Sequence, residues 1–160
     1  MGIIMPIYLC RKIKEKGDTM YLLKTEHSFD SAHFLANHNG KCKNIHGHRW
    51  RVEVSIKSKD LIDNGESYGM VIDFSKFKRD VREIVDFYDH ALIIEKDTMV
   101  KETYNNLVDD GFKIITVEFR PTAENLAKKF YDLVSARGYE VQEVMVYETP
   151  NNCAMYRAGE

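Results

Sequence analysis

CKNIHGHRWRVEVSIK, residues 42–57, alternates without a break from Ile45 to Lys57. His46, His48, Trp50, Val52, Val54 and Ile56 fall on one face and Arg49, Arg51, Glu53, Ser55 and Lys57 on the other, the period of a strand with one side in a core. The two histidines therefore open the apolar face. Same-face neighbours on a strand lie about 6.6 Å apart, so two imidazoles can converge on one ion if a third ligand arrives from elsewhere. Cys42 adds a thiol four residues before the first of them. A lone histidine at a strand end is ordinarily a half-buried residue bonded to backbone; a pair at this spacing, beside a cysteine, points to a metal.

Upstream, the odd positions Tyr21, Leu23, Thr25, His27 and Phe29 form one face of a first strand, read as ending in a loop that carries Ser31, Ala32 and His33. His33 can supply the third imidazole. Residues 35–44 read as a loop delivering Cys42, and His27 and His38 as ordinary histidines.

Downstream, Asp73 is a helix N-cap, followed by Phe74, Phe77, Val81, Ile84, Val85 and Tyr88 at helical spacing, and the helix ends at Asp89-His90. A weaker helix over 98–109, closed by Gly111, and a short strand-like piece, Ile114 to Phe119, follow. Thr122 caps the next helix, with Leu126, Ala127, Phe130, Leu133 and Val134 inward and Gly138 as its stop. Residues 141–149 alternate again with Val144, Val146 and Glu148 on one face, and a last strand runs from Cys153 to Arg157. The principal order is strand, strand, helix, helix, strand, strand, an α+β arrangement.

The 160 residues, 44% hydrophobic and 30% charged, suffice for one globular domain with a real core. A net charge of −2 gives no sign of nucleic acid or a membrane surface as partner. The three cysteines, Cys10, Cys42 and Cys153, have no disulfide-framework spacing, which suits a reducing cytoplasm. The apolar run Ile3 to Cys10 is too short to span a bilayer, and its basic residues follow it where a secretory signal has them before. Residues 1–19 read as a poorly ordered extension, or as an upstream start chosen over Met20, and 20–160 as a single domain.

Three acidic positions have two readings each. Glu148 on an apolar strand face needs cationic or donor partners, or else the strand end there is solvated. Glu124 in a first helical turn is favoured by the helix dipole without any ligand. Asp89 and His90 are adjacent, so their side chains diverge on a regular element and can cooperate only if the chain turns between them.

Seven motifs then fall in order: Phe29-Asp30-Ser31-Ala32-His33, Gly40-Lys41-Cys42, His46-Gly47-His48, Val71-Ile72-Asp73-Phe74, Asp89-His90, Pro121-Thr122-Ala123-Glu124 and Val146-Tyr147-Glu148-Thr149. With them the chain resembles the 6-pyruvoyltetrahydropterin synthase superfamily, and within it the 6-carboxytetrahydropterin synthases of the queuosine precursor pathway. The three residues between Cys42 and His46 are similar to that carboxy-producing branch, and Cys42 argues against a folate-related branch with glutamate at this position.

The resemblance implies the tunnelling fold, a four-stranded antiparallel sheet with two helices on one face in ββααββ order, and a homohexamer of two trimers with shared sites. It implies zinc held by His33, His46 and His48 with one open position, Cys42 as general base, Asp89 and His90 as an acid/base pair, and Glu148 as the pterin anchor. Thr122 and Glu124 would border the same pocket. The implied substrate is 7,8-dihydroneopterin triphosphate. A pyruvoyl synthase or a broader pterin side-chain lyase is the enzymatic alternative. A closed structural zinc module, with Cys42 as fourth ligand, is the non-catalytic one, and it has no use for Asp89-His90 or Glu148. The chain departs from the pattern between His90 and Pro121, where the segment is longer and Arg120 stands where an asparagine is usual.

Overall fold

The alternation of residues 45–57 appears in the computed structural model as a strand of thirteen residues, β3 (His46–Ser58), at the middle of the sheet. The structure describes residues 13–15 and 18–159. Around β3 the elements run β1 (Ile13–Glu15), β2 (Asp18–His33), β3, α1 (Phe74–Asp86), β4 (Ala91–Glu95), α2 (Lys101–Asp109), β5 (Ile114–Val117), α3 (Ala123–Ser135), β6 (Val141–Thr149) and β7 (Asn152–Tyr156). Six strands lie in the order β5-β4-β2-β3-β6-β7, and β1 pairs with the first residues of β2. Most of the expected extension over 1–19 lies outside the described residues.

The expected four-stranded antiparallel sheet is present as β2-β3-β6-β7, every neighbouring pair antiparallel. As a description of the whole it needs correction: β4 and β5 extend the sheet with parallel pairings, and α2 makes a third helix. The longer segment between His90 and Pro121 is thus a β4-α2-β5 unit laid beside β2. Its first strand, Ala91-Leu92-Ile93-Ile94, is a short apolar run without alternation. Such runs are typical of a parallel strand covered on both faces and carry no period to reveal it.

A second correction concerns His33. It is the last residue of β2, paired with His46 across β3 and with Ile93 of β4, and does not lie in a loop. The odd face of β2 simply continues through Ser31 to His33, because β3 on one side and the added strand on the other satisfy its backbone.

The core lies between that face and the helices. Asp73 caps α1 by accepting from the Lys76 amide at 3.0 Å, and Phe77, Val81, Ile84 and Val85 turn inward. Phe74, expected on the inward side, is the first residue of α1 and is 51% exposed. Thr122 caps α3, which buries Leu126, Ala127, Phe130 and Val134. Phe29 stacks on Trp50 with ring centroids 6.0 Å apart and meets Phe130 edge-on at 5.8 Å. Each such side chain contributes about 1.5–3 kcal/mol on full burial. This aromatic block is the floor on which the histidines rest.

Candidate metal centre

His33, His46 and His48 bring one ring nitrogen each to within 4.8 Å of one another, the only group of three or more such side chains gathered this way among the described residues. The register explains it: His33 lies directly opposite His46, and His48 opposite Ser31, so three imidazoles crowd the end of one two-strand face. Trp50 closes the bottom, its ring centroid 5.0 Å from His33 and 5.3 Å from His48.

Two backbone carbonyls decide the tautomers. Nδ1 of His33 donates to Pro121 O at 2.7 Å, and Nδ1 of His46 to Asn44 O at 2.8 Å. A carbonyl can only accept, so these nitrogens carry the protons and each Nε2 keeps its lone pair. Nε2 of His33 and of His48 are buried with no hydrogen-bond partner. Buried polar atoms are nearly always satisfied, and orphaned imidazole nitrogens turned toward one another are what metal ligands look like without their ion. Three neutral nitrogen donors fit a divalent transition ion such as zinc, with a fourth position left for another ligand.

Burial holds His33 at about 4 against an ordinary 6.5, with His46 and His48 pushing the same way and the bond to Pro121 opposing. Burial also lowers His48, against the pull of Glu148. Between pH 6.5 and about 4 the unfolded chain therefore takes up a proton at His33 that the folded chain does not, so the metal-free protein should lose stability as pH falls through that interval. Melting temperatures from pH 6.5 to 5, above the main carboxylate range, provide the check; a flat profile would contradict the expectation.

Glu148 comes to the same place from β6, with Oε1 3.6 Å from His33 Nε2 and 3.7 Å from His48 Nε2. Thr122 stands next to the carbonyl that orients His33, while Glu124, one turn further, is exposed. Cys42 sits half-buried in a 3-10 turn (Lys41–Lys43), tied back by a 2.8 Å bond from Leu35 N to its carbonyl. Its sulfur is outside the three-nitrogen group.

Asp89 and His90 are hydrogen-bonded to each other, because the chain turns there: His90 has φ +52°, and its Nδ1 lies 2.7 Å from Asp89 Oδ2. Asp89 Oδ1 accepts the Asp30 amide at 2.8 Å, and that bond first, then His90, holds the carboxylate below its usual range. Among the described residues no hydrogen bond or ion pair joins this dyad to the histidines within one chain. Asp30, its attachment point, precedes His33 by three residues, about 10 Å along the strand. His27 and His38 are engaged elsewhere, with Asp86 and with the Gly40 amide. The contributions of Pro121, Asn44 and Asp30 were invisible in sequence, because each acts through its backbone.

The model of the 6-pyruvoyl tetrahydropterin synthase family matches residues 22–159 of this chain. The chain belongs to that family. Members of the 6-pyruvoyl tetrahydropterin synthase family are enzymes acting on pterins. Two relatives named 6-carboxy-5,6,7,8-tetrahydropterin synthase are similar to it. The one from Haemophilus influenzae is 35% identical over 86% of this chain and 99% of its own length, and the one from Synechocystis 40% identical over 86% and 93%. Among solved structures, an uncharacterized protein from Wolinella succinogenes superposes with a TM-score of 0.73 at 22% identity, covering 88% of this chain and 99% of that one. The 6-pyruvoyl tetrahydropterin synthase of Caenorhabditis elegans gives 0.60 at 22%, covering 89% and 98%. These likenesses establish the family's fold for the mixed sheet described above. Among the described residues no helix is long and apolar enough to cross a membrane.

Proposed function

We propose that this protein is a zinc-dependent 6-carboxytetrahydropterin synthase, converting 7,8-dihydroneopterin triphosphate and water to 6-carboxytetrahydropterin, acetaldehyde and triphosphate in the cytoplasmic queuosine pathway. The observation that carries the reading is the pair of buried, unpartnered Nε2 atoms on His33 and His48 with Glu148 beside them, in a chain whose similar relatives bear that enzyme's name. A metal without the carboxylate would suit a structural site; the carboxylate without the metal would suit a strand end.

His33, His46 and His48 are the residues that would hold the ion. Bound there, zinc supplies Lewis acidity, making a substrate hydroxyl more acidic and favouring enolate-like charge as carbon-bound protons leave. Glu148 accepts from the pterin's amino group and ring N–H, a paired donor edge that two carboxylate oxygens match. Cys42 takes the carbon-bound proton as a thiolate. Asp89 orients His90 through the bond to Nδ1, and His90 relays protons during tautomerisation and carbon–carbon cleavage. His90 is 79% exposed on the side chain, and among the described residues no hydrogen bond or ion pair joins it to the histidine group, which supports a site completed between copies in a homohexamer.

Product analysis tests the reading. Purified metal-loaded protein incubated with dihydroneopterin triphosphate should release acetaldehyde and form the 6-carboxy product. A 6-pyruvoyl product without acetaldehyde would move it to the pyruvoyl activity, and no turnover with metal firmly bound would favour a non-catalytic module. Glu148→Ala should weaken binding of a pterin analogue by about tenfold or more while leaving metal content unchanged, since it removes a charge-assisted contact to the ring and no imidazole. Unchanged affinity in a titration would count against the anchor role.

A further inference from the structure

Arg120 is the one arginine among the described residues without a carboxylate partner. Arg49, Arg51, Arg79, Arg82, Arg137 and Arg157 each pair with an aspartate or glutamate, all on the surface of the sheet and helices. Arg120 is half-buried, donates from Nη2 to Ala36 O at 2.5 Å, and leaves its Nε buried with no acceptor. A guanidinium has five N–H donors in a fixed fork and stays charged at any working pH, so a half-buried one with no counter-charge is costly unless an anion visits it.

Its position says which anion. Arg120 directly precedes Pro121, whose carbonyl orients His33, and its bond to Ala36 clamps the segment leaving His33. Leu35, in that same segment, is bonded to the Cys42 carbonyl, so the 3-10 turn bearing Lys41 and Lys43 belongs to the same loop cluster. Among the described residues neither lysine has a carboxylate partner either. Three cations without a carboxylate partner among the described residues thus lie on loops tied by hydrogen bonds to the segment that leaves His33. No group in the proposed chemistry uses Arg120.

We infer that Arg120, with Lys41 and Lys43, forms the subsite for a polyphosphate chain, the leaving group of the ligand whose other end lies at the histidines. The planar fork meets two phosphate oxygens at once, and the lysines add point charges at the open side. The inference rests on the proposed function for the direction of the ligand, but the subsite itself can be tested without any pterin.

Inorganic tripolyphosphate titrated by calorimetry into the metal-loaded full chain is the measurement. Wild type should bind, more weakly as salt rises; Arg120→Gln should bind about ten- to a hundredfold more weakly, with Arg120→Lys between them. Arg137→Gln, which removes a paired surface arginine, should bind like wild type. Equal affinity for Arg120→Gln and wild type, or no binding by wild type, overturns the subsite. So does loss of binding that coincides with a change of oligomeric state on size exclusion, which would make the missing counter-charge a neighbouring copy's. Should Arg120→Gln not fold, phenylglyoxal modification of wild type mapped by peptide mass decides: tripolyphosphate should slow labelling at Arg120 and not at Arg137, and equal slowing at both or none overturns it. Arg120-dependent tripolyphosphate binding without acetaldehyde release would leave the subsite standing and the synthase reading fallen.

Discussion

Cys42→Ala is expected to lower turnover by about a hundredfold or more while retaining about one zinc per chain. The thiol lies outside the three-nitrogen group, in a turn held by main-chain bonds that do not involve its side chain, so its loss takes away a base and leaves the ligands and the turn in place. Substrate should still bind and persist unreacted, as expected of an enzyme lacking only its base. Metal analysis beside a single-turnover assay makes the distinction. A variant that loses its zinc together with folding stability would make Cys42 a fourth ligand of a closed site, and the synthase chemistry could not stand in this form.

His46→Ala should have the complementary outcome, with zinc falling from about one per chain to near zero and activity lost with it, because two imidazoles hold a divalent ion far more weakly than three. His46 is the clean choice among the three. It is only partly buried, and its single bond is to the nearby carbonyl of Asn44, so its removal leaves the core alone. His33 is 1% exposed and its ring satisfies the Pro121 carbonyl, so truncating it would add a cavity and an unpaired acceptor, costs of about 1–3 kcal/mol for the acceptor alone. Elemental analysis together with circular dichroism checks the expectation. Full zinc with full turnover in a folded His46→Ala protein would remove the ligand assignment.

Periodicity alone identified four strands and two helices of the frame, and the resemblance implied their antiparallel pairing. The alternation of β3, the face of β2 and the two capped helices were all legible, since an amphipathic element must write its buried side into the residues at its own period. The pairing of His46 with His48 was legible for the same reason. β4 was not, because a parallel strand covered on both faces carries no alternation, and His33 reads as a loop residue in the sequence because one of the two strands that hold it in the sheet is that same β4.

What sequence could not hold is anything set by contact between distant segments. That Asp89 and His90 face each other depends on one left-handed residue, a conformation allowed by packing against Asp30 and unexpected for a non-glycine. That the histidines expose Nε2 to one another depends on the carbonyls of Pro121 and Asn44, and a backbone acceptor has no signature in residue type. Arg120 stands out in the sequence only as a departure from the pattern, and its lack of a carboxylate partner emerges only beside the pairing of every other described arginine. The ligand types could be read locally from the chain; their tautomers, orientation and unspent charge come from register and packing, which tertiary structure alone decides.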